Sequence, residues 1–246
     1  MYLTIQGIVL RVTDYNDRDA LLTVLTRNHG KLTVKARGLR RKNSPLIAPC
    51  QLLAYGEFTL FEYKGQYTIN EAHSLELFQG LRRDLTKLSL GTYFAQVADV
   101  LSQEDLPNPE LQSLLLNCLF ALAKLPEPEA KMKAIFELRS AALAGYLPDL
   151  FGCHVCGNQN PDKFDISEGM LECTRCRTVG GGIRMPVTSG VLEAMRYICF
   201  CDPKKLLNFN IGQENLIKLG NLTEAYLTTQ LERGFSTLDF YKSLQL

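Results

Sequence analysis

Apolar and polar positions alternate with a period of two over the first part of the chain, which is the spacing of side chains on a β-strand. Runs rich in β-branched residues are separated by clusters of turn-forming residues. The predicted strands are Thr4–Thr13, Ala20–Thr26, Lys31–Arg37, Leu52–Tyr63 and Gln66–Ala72. Five short strands in this order predict a small barrel with one curved face open for a ligand.

After about residue 80 the apolar period changes to three and four, which is typical of helices. The first predicted helix carries Leu90 to Leu101 and ends near Leu106–Pro107, and the third follows Pro126 and Pro128 and ends at Gly145. The others are Glu110–Lys124, Thr188–Phe200, Gln213–Arg233 and a short last helix opened by a capping box of Ser236 and Asp239. The pattern therefore predicts an α+β chain with two domains, residues 1–79 and residues 80–246.

Four cysteines in the helical part follow the spacing of a four-thiolate zinc site, C-x2-C, sixteen residues, C-x2-C. They are Cys153, Cys156, Cys173 and Cys176. Four thiolates fill a tetrahedral ion and leave no open position, so one structural zinc is predicted within an insertion at about residues 149–185. Gly157 suits the turn of the first knuckle, since glycine readily adopts a positive φ. Two alternatives are a pair of disulfides and the replacement of one thiol by His154.

The third predicted strand carries cations on one face, and more cations follow it in a predicted flexible turn. The candidate DNA-binding residues, called here the basic cluster, are Lys31, Lys35, Arg37, Arg40, Arg41 and Lys42. No Asp or Glu occurs from Lys31 to Gly56, so these side chains predict a local positive field suited to phosphates. The alternative is a solvated strand face. Arg175 and Arg177, at the second knuckle, offer a lesser contact.

Base stacking needs exposed aromatic side chains beside such a cluster. The candidates by position are Tyr15, Phe58, Phe61, Tyr63 and Tyr67. Strand alternation places Phe61 and Tyr63 on one side of their strand and Phe58 on the other, so one of these two sets belongs to the core.

Composition narrows the class of protein only modestly. The 246 residues are 46% hydrophobic and 22% charged, with a formal net charge of +1, as in an ordinary soluble protein. The amino terminus lacks the pattern of a secretory signal and no stretch is long enough to cross a bilayer, so we expect a cytoplasmic protein. The three histidines match no metalloenzyme motif and there is no phosphate-binding loop, so no enzyme is predicted.

The order of these parts resembles the bacterial recombination mediator family RecO across essentially the whole chain. The motifs that carry the resemblance are IQGIVLRVTDYNDRDALLTVLT, GKLTVKARGLRRKNSPL, AGYLPDLFGCHVCG, CTRC and GFSTLDF. The resemblance implies an N-terminal OB-fold, a central helical domain and an inserted zinc ribbon. Family members without the cysteine quartet exist, which fits a structural role for the zinc.

The same resemblance implies a function. Proteins of this family bind single- and double-stranded DNA, anneal complementary strands and, with RecR, help to load the recombinase RecA onto DNA coated by single-strand binding protein. Binding of the acidic C-terminal tail of single-strand binding protein would fall to the helical domain. Two rival classes are an adaptor that docks an acidic protein on the basic cluster, and a nuclease, for which no carboxylate constellation is visible.

Overall fold

The first part of the chain forms a closed five-stranded β-barrel in the computed structural model, which describes residues 1–176 and 182–245. The strands are β1 (Tyr2–Asp14), β2 (Ala20–Thr26), β3 (Lys31–Ala36), β4 (Tyr55–Tyr63) and β5 (Gln66–Glu76). They pair in the order β1-β2-β3-β5-β4, and β4 closes the barrel against β1. All pairs are antiparallel except β3 with β5. This is the arrangement of an OB-fold, so the predicted fold of this region is confirmed.

The alternation of apolar residues explains why the barrel closes. Inward side chains from every strand form one core, which contains Ile5, Val9, Leu22, Val24, Leu32, Val34, Phe58, Leu60 and Ile69. A β-bulge between Val9 and Arg11 shifts the register of β1, and such bulges bend a strand.

Residues 37–54 form turns between β3 and β4. Leu39, Leu46 and Cys50 from this segment are buried in the barrel core. The predicted start of β4 at Leu52 is wrong, because Leu53 has a left-handed backbone (φ 64°) that a strand cannot contain. Its N–H donates to the Val9 carbonyl at 2.9 Å, so residues 52–54 turn toward β1 before β4 begins at Tyr55.

Four helices belong to the same compact unit as the barrel, which comprises residues 1–126 and 235–246. They are α1 (Gln79–Arg82), α2 (Leu85–Leu101), α3 (Pro109–Lys124) and α7 (Ser236–Ser243). Side chains cap two of them: Asp84 accepts from two N–H groups of α2, and Asn108 accepts from one of α3.

Two predicted helix ends in this unit differ from the structure. Helix α2 ends at Leu101 rather than near Leu106–Pro107, because Glu104 forms β-bridges with Gly30 and Lys31. Helix α7 begins at Ser236 without the predicted capping box, since no side chain caps its first N–H groups. Buried Phe235 precedes it and packs edge-on against Tyr93 at a ring-centroid distance of 5.5 Å.

The second compact unit, residues 127–234, is helical with an inserted small sheet. Its elements are α4 (Glu129–Leu143), β6 (Asp149–Cys153), β7 (Lys163–Asp165), β8 (Met170–Glu172), β9 (Arg184–Pro186), α5 (Ser189–Phe200), a 3-10 turn (Pro203–Lys205) and α6 (Gln213–Gln230). The sheet has the order β6-β8-β7-β9 and lies between α4 and α5 in the chain. The predicted helical region with a cysteine-bearing insertion is confirmed.

A buried ionic network joins α4 to α6 and was not predicted. The Lys133 ammonium lies 2.9 Å from Glu137 Oε1 and 2.8 Å from Glu224 Oε2, and Thr223 donates to Glu137 Oε2 at 2.8 Å. Burial alone would lower the pKa of Lys133, but the two carboxylates outweigh it and raise that pKa. A satisfied network of this kind fixes the register of the two helices.

The prediction of two domains, residues 1–79 and 80–246, stays a prediction. Compact units group residues by their contacts and do not establish which segments fold independently. Among the described residues, no helix is both long and apolar enough to cross a bilayer.

Candidate metal centre and nucleic-acid interface

Two tight turns bring the four cysteines together. Cys153 ends β6, and the Gly157 N–H donates to its carbonyl at 2.8 Å to close the first knuckle. Gly157 has the positive φ (73°) that the sequence predicted for it. Cys173 follows β8, and the Cys176 N–H donates to the Cys173 carbonyl at 2.9 Å to close the second. The pairing of β6 with β8 then sets the two knuckles side by side.

The sulfur positions match a tetrahedral metal ion. The Sγ atoms of Cys153 and Cys176 are 3.7 Å apart, those of Cys156 and Cys173 are 3.9 Å apart, and all four lie within 4.8 Å of one another. A metal–sulfur distance of about 2.3 Å places tetrahedral sulfurs about 3.8 Å apart. These four residues, called here the cysteine cluster, can therefore hold one metal ion with no further protein ligand.

The geometry decides between the alternatives that the sequence left open. The sulfurs are far beyond the S–S bond length of about 2.05 Å, and all eight cysteines are free thiols, so the disulfide alternative is wrong. The His154 ring is turned elsewhere, with Nδ1 3.2 Å from the Leu171 carbonyl oxygen. No described His, Asp or Glu joins the group.

Hydrogen bonds favour the metal-binding thiolate form at one member of the cluster, Cys153, whereas the pKa of Cys173 is raised and hydrogen bonding with the Cys156 thiol raises the pKa of Cys176 to about 12. Burial would raise the pKa of Cys153, but the N–H groups of Cys156, Val155 and Cys173 outweigh it and lower that pKa to about 6. The Asn158 side-chain amide donates to Cys173 Sγ at 3.1 Å. Cys50, Cys118 and Cys199 are buried thiols whose pKa is raised to about 12 mainly by burial, whereas Cys201 is half-buried.

The first lysine of the basic cluster is held by an acid from α2. Lys31 Nζ lies 3.0 Å from Asp99 Oδ1 and donates to the Asp99 carbonyl at 2.7 Å. The Lys31 side chain is only 19% exposed. Its ammonium is therefore occupied with a contact inside the compact unit.

Lys35 is also paired, here with the loop between β1 and β2. Its Nζ lies 3.4 Å from Asp19 Oδ2 and 4.4 Å from the centroid of the Tyr15 ring. Asp19 Oδ1 accepts from the Gly38 N–H at 2.9 Å. That N–H, the Asn16 side chain and Lys35 together hold the pKa of the Asp19 carboxyl below its ordinary value.

Arg40 contacts the same loop. Its Nη2 lies 3.2 Å from Asp14 Oδ2 and its Nη1 donates to the Asn16 carbonyl at 2.8 Å. The segment from residue 31 to residue 56 contains no acid in its own sequence, but acids from other parts of the chain lie next to it in the structure. The signal that would have found these partners is the acidic loop, residues 14–19, because β2 follows it and pairs with β3 in the barrel.

Three members of the basic cluster remain uncompensated. Arg37, Arg41 and Lys42 are exposed, and none of them forms an ion pair with any residue that the structure describes. The predicted flexible turn is hydrogen-bonded: the Arg41 N–H donates to the Gly38 carbonyl, and the Arg40 N–H donates to the Arg18 carbonyl at 3.0 Å. Buried Leu39 anchors it. Arg175 is exposed beside the second knuckle, and Arg177 lies outside the described residues.

The aromatic candidates divide between core and surface. Phe58 is fully buried in the barrel, and Tyr67 packs against the same core. Tyr15, Phe61 and Tyr63 are exposed, so they are the candidates that a nucleobase can reach.

A closed OB-type barrel, a helical region and a cysteine cluster together define a class of protein built from a small barrel and a helical part that carries a candidate metal site. The sequence models described as "Recombination protein O N terminal" and "Recombination protein O C terminal" match residues 1–78 and 82–239. The chain belongs to the RecO family of DNA repair proteins.

Individual relatives agree with this assignment over nearly the whole length. A DNA repair protein RecO of Acetivibrio thermocellus is 31% identical over 245 residues, which cover 99% of this chain and 97% of that protein. One of Alkaliphilus metalliredigens is 28% identical, covering 99% and 100%. One of Bacillus subtilis is 29% identical, covering 90% and 86%.

Proposed function

We propose that this chain is a DNA repair and recombination mediator that binds single- and double-stranded DNA and anneals complementary strands. With RecR, it promotes loading of RecA onto DNA coated by single-strand binding protein. The observation that carries the proposal is the set of uncompensated cations, Arg37, Arg41 and Lys42, on an OB-type barrel. Cations so placed neutralise phosphates without reading base sequence.

The proposed mechanism of annealing is electrostatic and needs no catalytic residue. Two complementary strands repel each other through their phosphates, and side-chain cations that replace condensed counterions lower this repulsion. Lys31, Lys35 and Arg40 form ion pairs with Asp99, Asp19 and Asp14, so their charge is already balanced. Lys35 and Arg40 also connect the turn to the loop at residues 14–19. In this proposal the exposed three bind phosphate. We therefore propose a mediator rather than an enzyme.

We propose that the cysteine cluster holds one zinc ion in a structural role. Soft thiolates favour zinc or an iron–sulfur cluster, and a single site whose sulfurs lie 3.7 and 3.9 Å apart suits one tetrahedral ion. Four protein ligands leave no position for water or substrate. The ion would supply folding free energy to a sheet of very short strands.

The remaining proposals concern organisation and partners. Residues 1–79 would be the DNA-binding domain and residues 80–246 the helical domain, with the ribbon at about residues 149–185. The partners would be DNA, RecR and the C-terminal tail of single-strand binding protein, with a functional link to RecA. The site of action would be the cytoplasm, at the nucleoid.

A strand-annealing assay on DNA precoated with single-strand binding protein tests the function, run with and without RecR. We expect duplex to form faster with the chain than without it, and no strand to be cut. Absence of annealing in every condition would remove the proposed activity. Shortened strands would favour a nuclease, and binding of single-strand binding protein without any binding of bare DNA would favour an adaptor.

A further inference from the structure

A row of outward side chains crosses four strands of the barrel next to the basic cluster. Lys35 in β3 is the register partner of Thr68 in β5, Thr68 pairs with Phe61 in β4, and Phe61 pairs with Tyr2 in β1. The residues that alternate with them point inward: Val34, Ile69, Leu60 and Leu3 lie in the barrel core or pack against it. The row therefore lies on the outer face of the barrel.

Two of these residues form an exposed pair of rings. Tyr2 and Phe61, called here the aromatic pair, have centroids 5.5 Å apart and planes inclined at 58°. Tyr2 is 63% exposed and Phe61 is 41% exposed. Ring faces on an OB-type barrel are the surfaces on which single-strand binding proteins stack bases.

Cations lie on either side of the aromatic pair. Lys35 stands two strands away from Phe61, about 10 Å across the sheet. On the other side along β4, the Tyr63 ring is exposed and the Lys64 ammonium lies 5.4 Å from its centroid. A phosphate at the Lys64 end of the rings would thus meet an exposed cation, whereas Lys35 on the other side is paired with Asp19.

The opposite end of the same face is acidic. Glu71 is exposed, and its register partner Thr59 is the next outward residue of β4 after Phe61. Glu57 is the outward residue beyond it. Because β3 runs parallel to β5, the turn that follows β3 lies on the same side of the row as Glu71. These carboxylates repel phosphates, so a strand on the rings is expected to leave them toward Lys64.

We propose that Tyr2 and Phe61 form a base-stacking platform for single-stranded DNA on the outer face of the barrel. The inference rests on the proposed function, since it assumes that the chain binds single strands. The alternative is that a second protein, rather than DNA, docks on the same rings. The exposed rings, with the exposed Lys64 ammonium near them, favour a strand that has bases and phosphates.

The test compares two probes of equal length: an oligothymidine strand, and the same sugar–phosphate strand without bases. Both present the same phosphates, so only stacking separates them. We expect the wild-type chain to bind the oligothymidine strand about tenfold more tightly, and the double variant Tyr2→Ala with Phe61→Ala to lose most of that preference. Binding of the baseless strand should stay within about twofold.

The matched control is Phe120→Ala in α3. Phe120 is also exposed, at 46%, and has the Lys124 ammonium 4.9 Å from its ring, but it belongs to a helix rather than to a strand of the barrel. We expect this variant to keep the wild-type preference. The conservative change Tyr2→Phe should keep it as well, because the ring remains.

A second readout needs no truncation of the pair. The chain contains no tryptophan, so Phe61→Trp introduces a single reporter. Its fluorescence should be quenched by the oligothymidine strand and unchanged by the baseless strand. If the wild-type chain bound neither strand, the proposed function itself would be wrong. Equal binding to both strands, or an unresponsive reporter in a chain that binds DNA, would overturn the platform alone.

Discussion

The cysteine cluster and the basic cluster differ in how closely their groups of like charge are placed. Four sulfurs converge within 4.8 Å, and no described His, Asp or Glu side chain joins them. The six cations spread over a strand and a turn, and three of them contact carboxylates of the same compact unit. Convergent thiolates need a cation between them, whereas dispersed cations can be balanced one by one.

The difference indicates what each region can bind. A closed set of four ligands selects one compact ion and excludes everything larger. The basic cluster leaves three charges exposed, those of Arg37, Arg41 and Lys42. Separate exposed cations suit an extended polyanion, which can contact each of them in turn. The first region is expected to contribute stability, and the second is expected to contribute binding.

The largest expected effect follows removal of two metal ligands. In the double variant Cys173→Ala with Cys176→Ala, metal content should fall from one ion per chain to none. Unfolding of the helical unit should become easier by about 5 kcal/mol or more, since structural zinc in small peptides contributes about 10–16 kcal/mol. Elemental analysis and thermal unfolding followed by circular dichroism measure both effects.

Cys201→Ala is the control for this variant. Cys201 lies in the same compact unit and is half-buried, but it is not in the cysteine cluster. It should keep the full metal content and unfold within about 1 kcal/mol of the wild type. A double ligand variant with unchanged metal content and stability would contradict the structural role.

A smaller effect is expected when Lys35 is released from its acid. Asp19→Asn keeps an oxygen that can accept from the Gly38 N–H but removes the charge that holds Lys35. We expect single-stranded DNA to bind up to about fivefold more tightly, because the Lys35 ammonium has then lost the carboxylate that competes with phosphate. The slope of log affinity against log salt should steepen by about 0.7.

Asp17→Asn is the matched control, because it makes the same charge change in the same loop at an exposed residue that forms no ion pair with any described residue. Fluorescence anisotropy of a labelled oligonucleotide measures both variants. Equal gains in the two variants would mean that net charge, rather than the release of Lys35, controls binding.

The same carboxylate predicts a pH dependence of stability. The pKa of Asp19 is lowered in the folded state, chiefly by the Gly38 N–H, so the folded chain binds fewer protons there than the unfolded chain. This contribution is fully present above the unfolded pKa of about 3.9 and is lost as pH falls through the folded pKa. The stability difference between wild type and Asp19→Asn should shrink below about pH 4. Urea unfolding at several pH values checks the trend, and a difference independent of pH would contradict it.

The smallest effect on binding is expected at Lys31. Lys31→Gln removes an ammonium that is already held by Asp99, so DNA affinity should change by less than about twofold. Stability should fall by about 1–2 kcal/mol through the lost charged hydrogen bonds. A loss of affinity as large as that of Arg41→Gln would show that the pair with Asp99 opens on DNA.

How well the sequence predicted the molecule depended on the range of the interactions. Strand β2 has its predicted bounds, and the cysteine cluster was predicted from its spacing, because both patterns are visible over a short stretch of sequence. The partners of Lys31 and Lys35 are distant acids that only barrel closure and helix packing bring near. The network at Glu137 was missed for a related reason: Lys133 is only four residues away in α4, but Thr223 and Glu224, which complete the network, come from α6.

The central claim is that the exposed cations of the turn bind phosphate, and the salt dependence of single-strand binding tests it most directly. Three phosphate contacts predict a slope of log affinity against log salt of about −2.1, and Arg37→Glu with Arg41→Glu should weaken binding and flatten that slope by about 1.4. The control Lys204→Glu with Lys205→Glu changes the net charge equally at exposed lysines of the helical unit and should leave the slope unchanged. Equal slopes for the wild type and a folded Arg37 and Arg41 variant would contradict the account.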